Sequence, residues 1–242
     1  MVLKVSHRTA FITICLLLLK CFIANVSAQE NTYLELRGTY THQHYISKYR
    51  FWFRNDVGIR PNFGDDPFTM FLLRPRAIVE LGNIVDLHPA VDFRFSYNQN
   101  AAYTFELRTW QGLTLHWPDV GRVMFDHFYR FEQRFHWTEG VKEEDIGLRS
   151  RYRLNMRVPL NNTSVIDNTF FTELRGEFFF PHGEDIQETF ASTIRLGLII
   201  GYHQNRKWRY QLTGYIESGE NTIDDDRSVG RYIIEVTVRT MF

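Results

Sequence analysis

The chain has 242 residues, with 28 Lys and Arg set against 28 Asp and Glu, so its formal charge is zero. That balance argues against a nucleic-acid binder. The only two cysteines, Cys15 and Cys21, sit at the extreme N-terminus, which excludes a disulfide framework or a thiolate metal site in the rest of the chain.

Residues 1–28 read as a signal peptide. Lys4 and Arg8 supply a positive start, Phe11–Leu19 an apolar core, and Val26-Ser27-Ala28 a small-residue cleavage site. The apolar run is too short to span a bilayer as a helix, and Lys20 interrupts it. Lys20 before Cys21 also speaks against a lipid anchor. The leader carries three basic residues and no acidic ones, leaving residues 29–242 at a charge of −3 and expected to form one domain.

Beyond the leader the chain repeats one pattern, apolar and polar residues in strict alternation, broken by turn signals. Eleven such runs stand at about 33–41, 46–60, 69–81, 87–98, 101–117, 121–138, 147–159, 169–180, 188–203, 206–218 and 229–241. In the run at 87–98, Asp92 and Arg94 oppose Val91, Phe93 and Phe95, and in the next Glu106 and Arg108 oppose Phe105 and Leu107. The run at 121–138 sets Arg130, Glu132 and Arg134 against Tyr129, Phe131 and Phe135. The run at 147–159 sets Arg149, Arg151, Arg153 and Arg157 against Tyr152, Leu154 and Met156. Glu173, Arg175 and Glu177 follow in the same phase, and the last run places Arg231, Glu235 and Arg239 against Tyr232, Ile234, Val236 and Val238. A helix of 3.6 residues per turn would scatter these charges around its cylinder.

A soluble sandwich and a membrane barrel both alternate in this way. Three features favour the barrel. Many runs exceed the 5–6 residues usual in soluble sheets and reach the ~9–11 that a tilted strand needs to cross a bilayer. The three lysines beyond the leader, Lys48, Lys142 and Lys207, read as turn or loop residues, whereas nearly all the arginines fall on the polar phase, where a planar guanidinium can bond Glu and Asp of neighbouring strands. Trp117, Trp137 and Trp208 stand at run ends, where interface girdles belong. The connections also alternate along the second half. WPDVG, NNTSVIDN and HQNRK are modest, while EGVKEEDIG, FPHGEDIQE and ESGENTIDDDRS are acidic and longer.

The expected fold is therefore all-β: a single antiparallel transmembrane barrel, 29–242, after a cleaved signal. An odd strand count conflicts with both ends lying in one compartment, so twelve strands are preferred and ten are the alternative. Phe242 resembles the terminal aromatic that closes the last strand of many bacterial outer-membrane barrels and is read by the assembly machinery. A monomer in the outer membrane of a Gram-negative bacterium is expected, in contact with lipid.

The stretches FELRTWQ, YRFEQRF and RSRYRLNMRVPLN, carrying Glu106, Arg108, Trp110, Arg130, Glu132, Arg134, Arg151 and Arg153, resemble a family of small bacterial outer-membrane proteins known as domain of unknown function 2490. Tyr33 stands where that family's pattern would put tryptophan. The resemblance implies a barrel and a membrane, but no activity. A weaker likeness is to small monomeric porins for acidic oligosaccharides, which line a narrow lumen with arginine.

Placed inside a barrel, the polar phases give a basic ladder of Arg130, Arg134, Arg149, Arg151, Arg153, Arg157 and Arg175, with Glu106, Glu132, Glu173, Glu177 and Glu235 as acidic partners. Arg50 and Arg122 are further lumen candidates. The first expectation is that these charges pair and plug the lumen, giving a structural or docking barrel. The alternative is a narrow porin preferring small anionic solutes. An enzyme is the third class: His116, His127, His136, His203, Ser96 and Ser192 exist, but in no hydrolase signature. His7, His42, His44 and His88 read as turn or tail residues. No metal spacing and no cofactor motif occurs. The acidic runs Glu143-Glu144-Asp145 and Asp224-Asp225-Asp226 read as solvated loops rather than cation sites, and Asn161-Asn162 as turn residues.

Overall fold

The computed structural model describes residues 32–46, 48, 50–63, 67–98, 102–141, 145–182, 193–219 and 229–242. Residues 1–28, with both cysteines and His7, on which the expected signal peptide falls, lie outside the described residues together with Ser192, Lys142, Glu143-Glu144 and Asp224-Asp225-Asp226.

Strict alternation of the sequence becomes extended strand throughout. The strands are β1 (Thr32–Ile46), β2 (Phe51–Phe63), β3 (Phe68–Glu80), β4 (Val85–Asn98), β5 (Thr104–His116), β6 (Met124–Thr138), β7 (Asp145–Pro159), β8 (Thr169–His182), β9 (Thr193–Asn205), β10 (Trp208–Gly219) and β11 (Val229–Met241). Each pairs with its neighbours in sequence, and the sheet closes on itself where β1 meets β11.

The strand number corrects the sequence expectation: eleven strands close the barrel, neither twelve nor ten. Ten successive hairpins reverse direction ten times, so the first and last strands must run parallel. The hydrogen bonds at the seam have that pattern. The Phe242 amide donates to the Gln43 carbonyl at 2.9 Å, and the Tyr45 amide donates to the Phe242 carbonyl at 2.8 Å, so one residue of β11's end is bracketed by two of β1. Arg231–Glu35 at 3.0 Å and Thr39 Oγ1 donating to Glu235 at 2.9 Å extend the same parallel register along the inner face. The two ends of the barrel therefore lie at opposite rims.

One rim, the turn rim, carries Phe242 and the connections 47–50, 81–84, 117–123, 160–168 and 206–207. Its turns are locally encoded. Val120 and Val123 exchange backbone bonds of 2.9 and 3.0 Å around Gly121, whose φ of 64° a side chain would disfavour. Asn161 clamps the β7–β8 turn by donating to the Asn168 carbonyl and accepting from the Phe170 amide, both at 2.8 Å. The opposite rim, the loop rim, carries Thr32 and the ends of β2, β4, β6, β8 and β10. The β3–β4 ladder is interrupted between Leu73↔Phe93, Arg76↔Ala90 and Val79↔Leu87, where Pro75 and Pro89 have no N–H to donate.

The wall is inverted relative to a soluble protein. Ile59, Phe71, Leu196, Val236 and most other large apolar residues are exposed on the outer face. Asp92, Glu132, Glu173 and Glu177 are fully buried on the inner one. A one-residue slip of any strand would exchange the two sets.

Candidate functional site: the arginine-lined lumen

Successive inward positions on one strand are two residues apart, within reach of long side chains. Six strands use this to seat an arginine beside a carboxylate of the same strand: Glu35–Arg37, Arg54–Asp56, Asp92–Arg94, Glu106–Arg108, Arg130–Glu132 and Glu173–Arg175. Each carboxylate then takes arginines from adjacent strands. Glu106 accepts from Arg108 at 2.6 Å and Arg134 at 2.7 Å. Glu132 holds Arg130, Arg149 at 2.9 Å and Arg108 at 3.3 Å. Glu177 holds Arg151 at 2.5 Å, Arg195 at 3.1 Å and Arg153 at 3.9 Å. Asp92 accepts from Arg74 at 2.7 Å, from Arg94 at 3.1 Å and from the Trp110 indole at 2.8 Å. Multiple charge-assisted bonds compensate the desolvation of each buried carboxylate.

Aromatic residues finish the wall. The Arg130 guanidinium lies 4.5 Å from the Trp110 ring centroid and that of Arg153 4.6 Å from Phe128. Arg151 and Arg195 share Phe179 at 4.8 and 4.9 Å. Three rings cover inward-facing glycines of neighbouring strands: Phe128 over Gly112, Tyr215 over Gly197 and Phe171 over Gly201.

All the residues of the sequence-derived ladder lie on the inner wall, as do Glu106, Glu132, Glu173, Glu177 and Glu235. The ladder on β7 is tied down rung by rung, since Arg149, Arg151, Arg153 and Arg157 each reach Glu132, Glu177 or Glu173. Two further candidates fail. Arg122 sits in the tight Val120–Val123 turn, and Arg50 is half-exposed in the β1–β2 connection, donating to the Gly82 carbonyl at 3.0 Å. His42, His44 and His88 correct the turn-or-tail reading, for all lie within strands. His88 is buried on the inner wall, hydrogen-bonded to Thr114 at 2.8 Å with its ring edge against Phe128.

Arg60 was missed, since Gly58 and Pro61 break the alternation beside it, although β2 carries it inward. Asp86 was missed as well. It bonds His116 at 2.8 Å while Asp126 takes the other ring nitrogen at 2.7 Å, linking β4, β5 and β6 at the turn rim. The signal that finds half of the same-strand pairs is the tripeptide Glu-Leu-Arg, which stands at 35–37, 106–108 and 173–175.

Pairing does not fill the barrel. A cavity of about 820 Å³ remains, lined by residues of every strand, from Asp86, His116 and Arg209 at the turn rim to Asn98, His136 and Arg231 at the loop rim. Eighteen arginines border it against seven carboxylates among the described residues. On the outer face, Ser150 Oγ lies 2.7 Å from His182 Nε2 and 3.0 Å from the Tyr129 hydroxyl, but Ser150 is buried between its bulky neighbours. No group of three or more His, Cys, Asp or Glu among the described residues is placed to hold a metal ion.

An inside-out closed β-barrel with a guanidinium-rich interior is the class of protein that this wall and cavity define. Residues 36–228 match the family described as Protein of unknown function (DUF2490), and the chain belongs to it. The match begins inside β1 and ends just before β11. No curated protein and no solved structure matches the chain.

Proposed function

We propose that the protein is an outer-membrane barrel of a Gram-negative bacterium whose lumen passes small anionic solutes. The observation that carries the reading is the cavity bordered by eighteen arginines, against seven carboxylates at its surface and four more, Asp92, Glu132, Glu173 and Glu177, buried in the wall behind them. Rings of arginine favour anions in a narrow pore. Support for the membrane comes from the apolar outer face, from strands of 12–15 residues and from Trp117 and Trp208 at the turn rim with Trp137 at the loop rim. Lipid then covers the outer face, and the C-terminal strand with Phe242 serves as the assembly signal.

The surplus charge does not sit on the β7 ladder, whose rungs are paired. It sits on the wall around the seam, where Arg60 has no ion pair among the described residues and its Nε is buried without a partner. Replacing Arg151 or Arg153 by Glu would set a second carboxylate against Glu177, whereas Arg60→Glu breaks no ion pair among the described residues and changes the lumen by two charges. The test is single-channel recording of the refolded protein in a planar bilayer under a salt gradient. Discrete steps are expected, with an anion-favouring reversal potential that Arg60→Glu moves toward the cation side. Silence from protein shown to be folded by its heat-shifted gel mobility would overturn the pore and leave a structural or docking barrel.

A further inference from the structure

Four pairs of arginines stand directly opposite each other on neighbouring strands of the inner wall: Arg54–Arg76, Arg108–Arg134, Arg130–Arg151 and Arg209–Arg239. Like charges in that position repel. Three of the pairs are compensated. Arg54 and Arg76 share Asp56 at 2.9 and 3.6 Å, Arg108 and Arg134 share Glu106, and Arg130 and Arg151 hold Glu132 and Glu177.

The fourth pair has nothing of the kind. Among the described residues no carboxylate lies within ion-pair distance of Arg209 or Arg239. Arg209 Nε donates to His203 Nδ1 at 3.2 Å, and Arg239 Nε is buried without a hydrogen-bond partner. Arg54 and Arg157 stand within electrostatic reach of both, each bringing the carboxylate it is paired with, Asp56 and Glu173. Arg157 and Arg209 lie over the same ring, Phe171, at 5.6 and 5.8 Å. All four border the cavity near its turn rim.

A pair of cations with no carboxylate within ion-pair distance, facing a cavity, is a place for an anion. The geometry points to a binding site for a phosphate-type oxyanion between Arg209 and Arg239, flanked by Arg54 and Arg157. Planar guanidinium forks match the several acceptor oxygens of a tetrahedral oxyanion and can bind it two bonds at a time. Chloride, a single spherical acceptor, cannot use that geometry. The site deepens the proposed anion path by naming the solute class, phosphate or a phosphate ester, and where it pauses at the turn-rim mouth.

The experiment is calorimetric titration of the folded protein in detergent micelles with inorganic phosphate and, separately, glycerol 3-phosphate, at fixed ionic strength set by chloride. Saturable binding is expected, weakened about tenfold or more in Arg239→Gln and in the double variant R209Q/R239Q, as loss of charge-assisted bonds requires. Arg50→Gln, outside the lumen, retains it. Binding of glycerol 3-phosphate but not phosphate would make the ester the occupant, within the same class. Each variant's unfolding temperature is measured alongside. In chloride alone Arg239→Gln unfolds no lower than the parent, since a repulsion has been removed, while the rise that phosphate gives the parent is lost. Neither phosphate nor glycerol 3-phosphate binding better than chloride, or Arg239→Gln unfolding well below the parent in chloride, overturns the site. Binding in micelles needs no conduction, so phosphate binding by a barrel that is silent in bilayers would refute the pore and keep the site, and the reverse pattern would do the opposite.

Discussion

Gly201 shows how closely single side chains are accommodated inside this barrel. It faces inward on β9, and a Cβ added there would lie 2.1 Å from the ring of Phe171, which is itself fully buried. Gly176 faces outward on β8, where a Cβ meets nothing within 4 Å. Gly201→Val is expected to destabilise the fold by about 1–3 kcal/mol through overpacking, and Gly176→Val to cost much less. Urea unfolding from lipid vesicles, followed by tryptophan fluorescence, compares them. Equal losses would mean that strand propensity, not the Phe171 ring, selects glycine at 201. At this scale the sequence was readable where charges repeat with period two, as in Glu106-Leu107-Arg108. It was not readable at Arg60, where Gly58 and Pro61 blur the phase, nor at Phe171 and Tyr215, aromatics on an inner face whose glycine partners lie on another strand.

For strands, existence and phase followed from alternation alone, because side-chain direction in an extended chain depends only on the residue number being odd or even. Ends were less legible: β5 begins at Thr104, after Ala102 and Tyr103, which the expected run included, while the expected start of the ninth run, 188–192, lies outside the described residues. The β1–β11 seam gives this scale its prediction. Phe242 supplies two main-chain bonds to β1, and its ring meets His42 at 5.6 Å and Lys207 at 5.5 Å. Deleting Phe242 removes both bonds, each about 0.5–1.5 kcal/mol, whereas Phe242→Ala keeps them. During refolding without any assembly factor, the deletion should lower the temperature at which the compact gel band is lost by more than the alanine variant does. In cells, where the terminal aromatic is expected to be read, both should assemble poorly. An alanine variant as unstable in vitro as the deletion would show that the ring, not the backbone, holds the seam.

At the scale of the whole molecule, the turn rim is basic. The connections at the turn rim carry Lys48, Arg50, Arg122, Arg206 and Lys207 against Asp119 and Asp167. In the sequence, the acidic runs Glu143-Glu144 and Asp224-Asp225-Asp226 fall between β6 and β7 and between β10 and β11, outside the described residues. Parallel closure also separates the barrel's ends. In the proposed membrane orientation, with short turns inward, a cysteine at Tyr33 is expected to react with an impermeant maleimide on intact cells and one at Lys207 only after the membrane is opened. Protection of both would show that β1 starts on the same side as the turns, and an even-stranded barrel would have to replace this one.

Much of this was decided by the sequence alone: the inverted wall, the strand phases, the abundance of inward arginine and the ladder of Arg149, Arg151, Arg153 and Arg157. Each of these depends on residues two apart in one strand, a distance that sequence order states directly. Strand parity, the direction of the closing pair, the sharing of Glu132 and Glu177 among arginines, and the Arg209–Arg239 pair left without a carboxylate came only from the tertiary structure. Those depend on which residue stands opposite which across separate strands. Register between distant strands is set by closure of the whole sheet, which no local pattern encodes.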